Sequence, residues 1–203
     1  MTDATGNGTK ALAAIVLAAG AGRRMGHPKA LLTDPHGTPL VDVVVDRLLT
    51  SGCASVTVVL GAEADRAGSL LRERPGHQVR VVVAGDWAEG MGASLRSGLA
   101  ALPPAAAALV TLVDLPDVDV AVMRRVVERW QGDGARQDAL VRATYDGVPG
   151  HPVLIGRDHW APLQATLRGD SGAQGYLSRR IVHQVSCEDL ATGRDLDRPE
   201  DLA

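Results

Sequence analysis

Residues 14–29 read Ala14-Ile15-Val16-Leu17-Ala18-Ala19-Gly20-Ala21-Gly22-Arg23-Arg24-Met25-Gly26-His27-Pro28-Lys29, an apolar run that opens at Gly20 into a glycine-rich, cationic loop. The run at 14–17 is a buried-strand candidate. Gly20, Gly22 and Gly26 let the chain turn sharply and bring backbone N–H groups close to an anion. Arg23, Arg24 and Lys29 add positive charge on the scale that partly neutralises a triphosphate. Two familiar phosphate loops fail on spacing. A dinucleotide-binding G-x-G-x-x-G requires glycine where Met25 stands, and a Walker loop requires Lys and then Ser or Thr where His27-Pro28 stand. A nicotinamide-dependent oxidoreductase is thereby disfavoured. Pro28 stiffens the backbone just before Lys29 and restricts where its ammonium can reach. The bland alternative is a flexible surface loop.

Outward from this loop, β-branched runs alternate with helical patterns. Residues 41–49 predict a helix started by Thr38-Pro39 and stopped by Gly52. Residues 55–60 predict a strand, 63–74 a helix, 79–83 a strand, and 93–102 a helix ended by Pro103-Pro104. Residues 109–113 are the fourth strand. Val122, Met123, Val126, Val127 and Trp130 share one helical face, and residues 139–143 and 153–155 read as further strands. The alternation predicts an α/β fold with three layers, α/β/α, around a mostly parallel sheet. No linker divides it, so residues 11–203 are expected to form one domain behind a flexible tail, 1–10. In such sheets ligands bind at the C-terminal ends of the strands.

The 203-residue chain carries 21 Lys plus Arg against 24 Asp plus Glu, a net charge of −3. That balance excludes an electrostatic nucleic-acid binder and a polybasic membrane-surface protein, both of which need surplus cations. Aromatics are 2% with no Phe, so Val, Leu, Ala and Ile must fill the core. No stretch approaches the ~20 apolar residues of a membrane span. Arg23-Arg24 follows the apolar run at 11–19, whereas a secretory signal places charge before it. Cys53 and Cys187 read as buried thiols in a reducing compartment, the alternative being a disulfide between them, and the cytoplasm is the expected location.

Two further places carry chemistry. Residues 109–113 run into Asp114-Leu115-Pro116, and a carboxylate directly after a buried strand is expensive to desolvate unless a cation compensates it. Beside a triphosphate, Mg²⁺ is the natural partner, because it takes one or two carboxylates plus phosphate oxygens. The alternative is that Asp114 caps the following helix. After the third strand comes Asp86-Trp87-Ala88-Glu89-Gly90-Met91-Gly92-Ala93-Ser94, where the glycines permit close backbone approach. Ser94 there is a ligand contact, a helix N-cap, or both. His151, between Gly150 and Pro152, has no second His or Cys at ligand spacing; it shapes a pocket or is a packed structural residue.

Residues 17–29 are similar, position for position, to the signature Leu-Ala-Ala-Gly-x-Gly-x-Arg-Met-Gly-x-Pro-Lys of the molybdopterin-type nucleotidyltransferases, and the resemblance runs from Ile15 to Leu202. It implies a Rossmann-like nucleotidyltransferase fold and transfer of a nucleoside monophosphate to a phosphate-bearing acceptor with release of pyrophosphate. Carried onto this chain, it implies nucleotide contacts from Leu17, Ala18, Ala19, Gly20, Gly22, Gly92 and Ser94. Arg23 would hold the departing phosphates, Lys29 the α-phosphate, and Asp114 the metal, Mg²⁺. Asp195-Leu196-Asp197-Arg198-Pro199-Glu200-Asp201-Leu202 looks like the family's closing motif, with Leu196 for Ile and Arg198 for Thr. Asp195 and Asp197 are its candidate metal approaches; Glu200 and Asp201 read as an exposed helix start.

The segments 147–153 and 169–173 are similar to acceptor-side segments of the molybdenum cofactor cytidylyltransferase branch, although Gln174 stands where Arg is more common. Ala19 gives the Ala-Gly form that resembles cytidylyl-transferring members, where Gly-Gly resembles guanylyl-transferring ones. The resemblance therefore implies CTP rather than GTP as donor and molybdopterin or the molybdenum cofactor as acceptor. A molybdenum hydroxylase is the partner it points to. The rivals are a sugar phosphate or another small phosphorylated acceptor, and a non-catalytic chaperone that binds nucleotide or cofactor.

Overall fold

The apolar run at 14–17 lengthens on both sides into β1, Leu12–Ala18, and every residue of it is buried. Unbroken Ala, Ile, Val and Leu suit a central strand covered on both faces. The structure, a computed structural model, describes residues 10–73, 78–197 and 201. Most of the expected tail, and Arg198, Pro199, Glu200 and Leu202 of the closing motif, lie outside the described residues.

The other strands are β2 (Ser55–Leu60), β3 (Val79–Val83), β4 (Ala107–Leu112), β5 (Leu140–Tyr145), β6 (Val148–Gly156) and β7 (His183–Ser186). They lie in the order β3-β2-β1-β4-β6-β5-β7. β1 pairs in parallel with β2 and β4, and β2 with β3. β6 runs antiparallel to β4 and β5, and β7 parallel to β5. The sheet is mostly parallel, as expected, with one reversed strand. Asp146-Gly147 causes the reversal. Both residues have positive φ, 50° and 76°, which is the two-residue turn that closes a tight hairpin between Tyr145 and Val148.

The helices are α1 (Leu40–Thr50), α2 (Ala64–Gly68), α3 (Met91–Ala100), α4 (Val120–Gly132), α5 (Trp160–Thr166) and α6 (Gln174–Leu177). On one face of the sheet, Val44 and Leu48 of α1 and Met123 and Trp130 of α4 pack with Val16 and Leu109. On the other, Leu95 and Leu99 of α3 and Leu163 of α5 pack with Ile15, Leu17 and Val110. That is the expected three-layer arrangement.

The helix expected over 63–74 is shorter. It ends at Gly68, where helix propensity is poor, and the chain then turns so that Arg72 pairs with Asp42 and Asp46 of α1. Cys53 and Cys187 are buried free thiols. Among the described residues no helix is long and apolar enough to cross a membrane.

Candidate active site

The loop after β1 folds back on itself. Gly22 has φ +58°, and a Cβ there would overlap the carbonyl of His27. Met25 is buried and its N–H donates to the Gly22 carbonyl at 2.9 Å, so the loop is pinned from inside. Lys29 then opens a 3-10 turn, Lys29–Leu31, with buried Ala30 behind it.

The ammonium of Lys29 meets three carboxylates. Its Nζ lies 2.6 Å from Asp114 Oδ2, 3.0 Å from Asp197 Oδ1 and 3.9 Å from Asp195 Oδ2. Asp114 is where β4 placed it: the N–H of Val113 still donates to the Leu17 carbonyl, and the next residue leaves the sheet. It does not cap α4. Asp119 does that, accepting from the N–H groups of Ala121 and Val122. The closing segment is held by Leu196, which is buried and donates its N–H to the Asp114 carbonyl at 2.9 Å. Asp195 and Asp197 flank that anchor, and Asp197 also takes Arg24 Nη1 at 2.7 Å.

Burial pushes the Asp114 carboxyl above the usual carboxylate range, against the pull of the Lys29 ammonium. Burial also works to lower Lys29, but its bonds to Asp114 and Asp197 outweigh that and raise it. Asp197, hydrogen-bonded by Lys29, is held below the usual range.

A second wall comes from the segment after β3. Trp87 rests on Gly61, where a Cβ would lie 2.5 Å from the indole Cγ and 2.6 Å from the Ala19 carbonyl, so the ring packs beside the first loop. Ser94 is buried inside α3, whose N-cap is Gly90; it is not a cap. Gly92 packs against the backbone of Arg168 and Gly169, and Asp170 presses on Gly90.

Together these walls enclose a cleft of about 550 Å³. Of the residues expected from sequence, Leu17, Ala18, Ala19, Gly20, Gly22, Arg23, Lys29, Ser94, Asp114 and Asp197 line it. Gly92 and Asp195 do not line it: the first is spent on packing, and the second is largely exposed, 3.9 Å from the Lys29 ammonium. Arg24, Trp87 and Asp170 also line the cleft; Arg24 was expected only as a charge of the loop, and none of the three was given a site role. For Arg24 a signal existed, because the signature's fixed arginine falls on position 24 and not on Arg23.

The carboxylates form an all-oxygen donor set already gathered on one cation, the Lys29 ammonium. That chemistry suits a hard divalent ion completed by phosphate oxygens. Among the described residues no three His, Cys, Asp or Glu side chains form a metal cage by themselves. His151 lies outside the cleft. Burial, helped by the charge of Arg142, brings its imidazole down to about 4, so it is neutral at physiological pH. Its carbonyl accepts from Tyr145 Oη at 2.6 Å. The Tyr145 ring is sandwiched where Gly150 and Gly193 leave no room for a Cβ, which ties the β5–β6 hairpin to the closing segment.

The profile of the MobA-like NTP transferase domain matches residues 14–185. A nicotine blue oxidoreductase of Paenarthrobacter nicotinovorans is 34% identical, covering 93% of this chain and 93% of that protein. The molybdenum cofactor cytidylyltransferase of Escherichia coli K12 is 26% identical over 95% and 94%. The crystal structure of Rv0371c from Mycobacterium tuberculosis H37Rv superposes with a TM-score of 0.76 at 28% identity, covering 95% of each chain. Its manganese complex matches over 88% of each chain with a TM-score of 0.66 at 28% identity.

Proposed function

The chain belongs to the MobA-like NTP transferase domain family, and from that premise we propose that it transfers CMP from CTP to the phosphate of molybdopterin or the molybdenum cofactor. The observation that carries this reading is Lys29, 2.6 Å from Asp114 and 3.0 Å from Asp197, at the end of β1 and β4 beside a glycine loop. The acceptor phosphate oxygen attacks the α-phosphorus in line, the bond to the bridging oxygen breaks, and pyrophosphate leaves. No general base is needed, because the attacking phosphate is already ionised at neutral pH.

The protein supplies alignment and charge. N–H groups of the Gly20–Gly22 turn, with Arg23 and Arg24, hold the departing phosphates. Lys29 moves from its carboxylates to the α-phosphate oxygens. Asp114 and Asp197 would hold the divalent ion, Mg²⁺ in this reading, with Asp195 at the margin. When bound, the ion neutralises phosphate charge. Trp87 and Ser94 form the wall against which the base lies. CTP is favoured by the Ala19-Gly20 form and by the cytidylyltransferase relative. A molybdenum hydroxylase is the proposed recipient of the product, and the buried thiols support a reducing compartment, the cytoplasm.

The test is pyrophosphate release from CTP, GTP, ATP and UTP, each with and without molybdenum cofactor. The expected result is acceptor-dependent release with CTP preferred. A clear preference for GTP overturns the base assignment, and release that depends on a sugar phosphate overturns the acceptor.

One observation favours a second reading. The relative named as an oxidoreductase matches over 93% of both chains, so redox chemistry on a small organic molecule is the rival. Consumption of reduced nicotinamide cofactor without any pyrophosphate from nucleotide would establish it.

A further inference from the structure

Arg142, on β5, is half-buried, and its hydrogen bonds go only to backbone: Nε to the Gly150 carbonyl at 2.9 Å and Nη2 to the Pro149 carbonyl at 3.4 Å. Among the described residues no carboxylate pairs with it. Burial alone acts on it and lowers its pKa, with no neighbouring anion to raise it. Arg72, Arg96, Arg125 and Arg136 are the contrast. Each holds an aspartate, and each is raised by that partner. A guanidinium has five N–H donors in a planar fork suited to oxyanions, so most of Arg142's capacity is unspent. Withdrawing such a group from water without a counter-charge is unfavourable.

Its direction is informative. Val141 and Ala143 point into the core beneath α1 and α4, so Arg142 points to the opposite face, shared with Leu140 and Val153. This is the face covered by α3, whose Met91 and Ser94 line the cleft. His151 stands two residues from Val153 on β6. Val153 pairs with Val110, itself two residues from the cleft-lining Leu112. A cation and a neutral imidazole thus share the cleft side of the sheet, on the hairpin that flanks its ligand-binding end.

We propose that Arg142, with His151 beside it, is an oxyanion subsite that receives a phosphate or carboxylate group of the acceptor. Only the identity of the ligand as acceptor rests on the nucleotidyl-transfer reading; the subsite itself does not. Nη1 and the free N–H of Nη2 donate to the anion, and His151 adds a donor without adding charge.

The test follows the histidine side-chain NMR signals of ¹⁵N-labelled protein during titration with inorganic phosphate and, separately, acetate. The His151 signal is assigned with His151→Gln. The expected result is a saturable movement of His151 that is lost in Arg142→Gln, weakened several-fold in Arg142→Lys, and retained in Lys29→Ala. A response to both anions makes the subsite general for oxyanions, and a response to phosphate alone narrows it to phosphate. No movement of His151 with either anion, or a movement unchanged in both Arg142 variants, overturns the proposal. Thermal unfolding of both variants separates loss of binding from loss of fold, because Arg142→Lys keeps the charge while surrendering the fork. CTP titration followed at His27, in the first loop, judges the nucleotide reading independently. A protein in which phosphate moves His151 while CTP leaves His27 unmoved keeps the subsite and loses the transferase assignment.

Discussion

The N–H of Leu196 donates to the carbonyl of Asp114 at 2.9 Å, so the last described stretch of the chain is stitched to the end of β4. Leu196 is also buried, at 5% exposure, and helps to anchor the two flanking aspartates beside Lys29. Leu196→Ala is expected to cost about 2–4 kcal/mol in unfolding free energy through the cavity it leaves. Transferase activity should fall further than the folded fraction accounts for, because Asp197 loses its fixed place. Chemical denaturation and pyrophosphate release on the same sample check both.

Lys29→Ala removes a preorganised charge and should slow pyrophosphate release by ~10²-fold or more. It also strips the ammonium that opposes the burial of Asp114, so that carboxyl rises further. A carboxyl raised on folding weakens the fold as pH climbs through its folded pKa. Lys29→Ala should therefore lose about 1–3 kcal/mol near neutrality and less in acid. Asp114→Asn added to it should restore much of that stability and none of the activity. Denaturant midpoints at two pH values, with activity assays, decide it.

Gly20 and Gly22 are neighbours in the signature but differ in space. A Cβ at Gly20 meets nothing within 4 Å, whereas at Gly22 it overlaps the His27 carbonyl at a φ of +58°. Gly22→Ala should open the loop and abolish most nucleotide binding, with Gly20→Ala at least ~10-fold less damaging at the roughly 1.4 kcal/mol per tenfold of any binding equilibrium. Calorimetric titration of CTP into the two variants makes the comparison.

How much of this was legible depended on whether the information was local. The loop at 17–29 was legible as a cleft wall because its glycines, cations and proline are consecutive, and Asp114 was visible as a carboxylate at a strand end. The unequal distances of Asp195 and Asp197 from Lys29 were not readable, since they depend on how the closing stretch docks after the chain has crossed the molecule. Trp87 was hidden for the same reason: its place depends on Gly61, on another strand. The reversed strand β6 was readable, because Asp146-Gly147 is a hairpin signal. It was overridden by the surrounding strand–helix alternation. β7 and α5 lay where periodicity fades, in segments stabilised by the sheet edge more than by their own pattern.

His151 supplies a pH prediction. Its imidazole is lowered on folding from 6.5 to about 4, so the unfolded chain binds the proton first. Its neutral form contributes fully above pH 6.5, and stability is lost as pH falls from there towards 4, by up to about 3 kcal/mol. Thermal melts across that window should show a shallower slope for His151→Gln than for the parent. Equal slopes would remove His151 from the acid sensitivity.

The ring of Tyr145, laminated between Gly150 and Gly193, has a practical corollary for anyone redesigning substrate choice. The hairpin and the closing segment meet at one aromatic ring, so a hairpin transplanted from a relative sets that relative's residue, in place of Tyr145, against this chain's Gly193. Chimeras that exchange residues 145–150 alone should misfit, and the unit of exchange is that hairpin together with the stretch around Gly193.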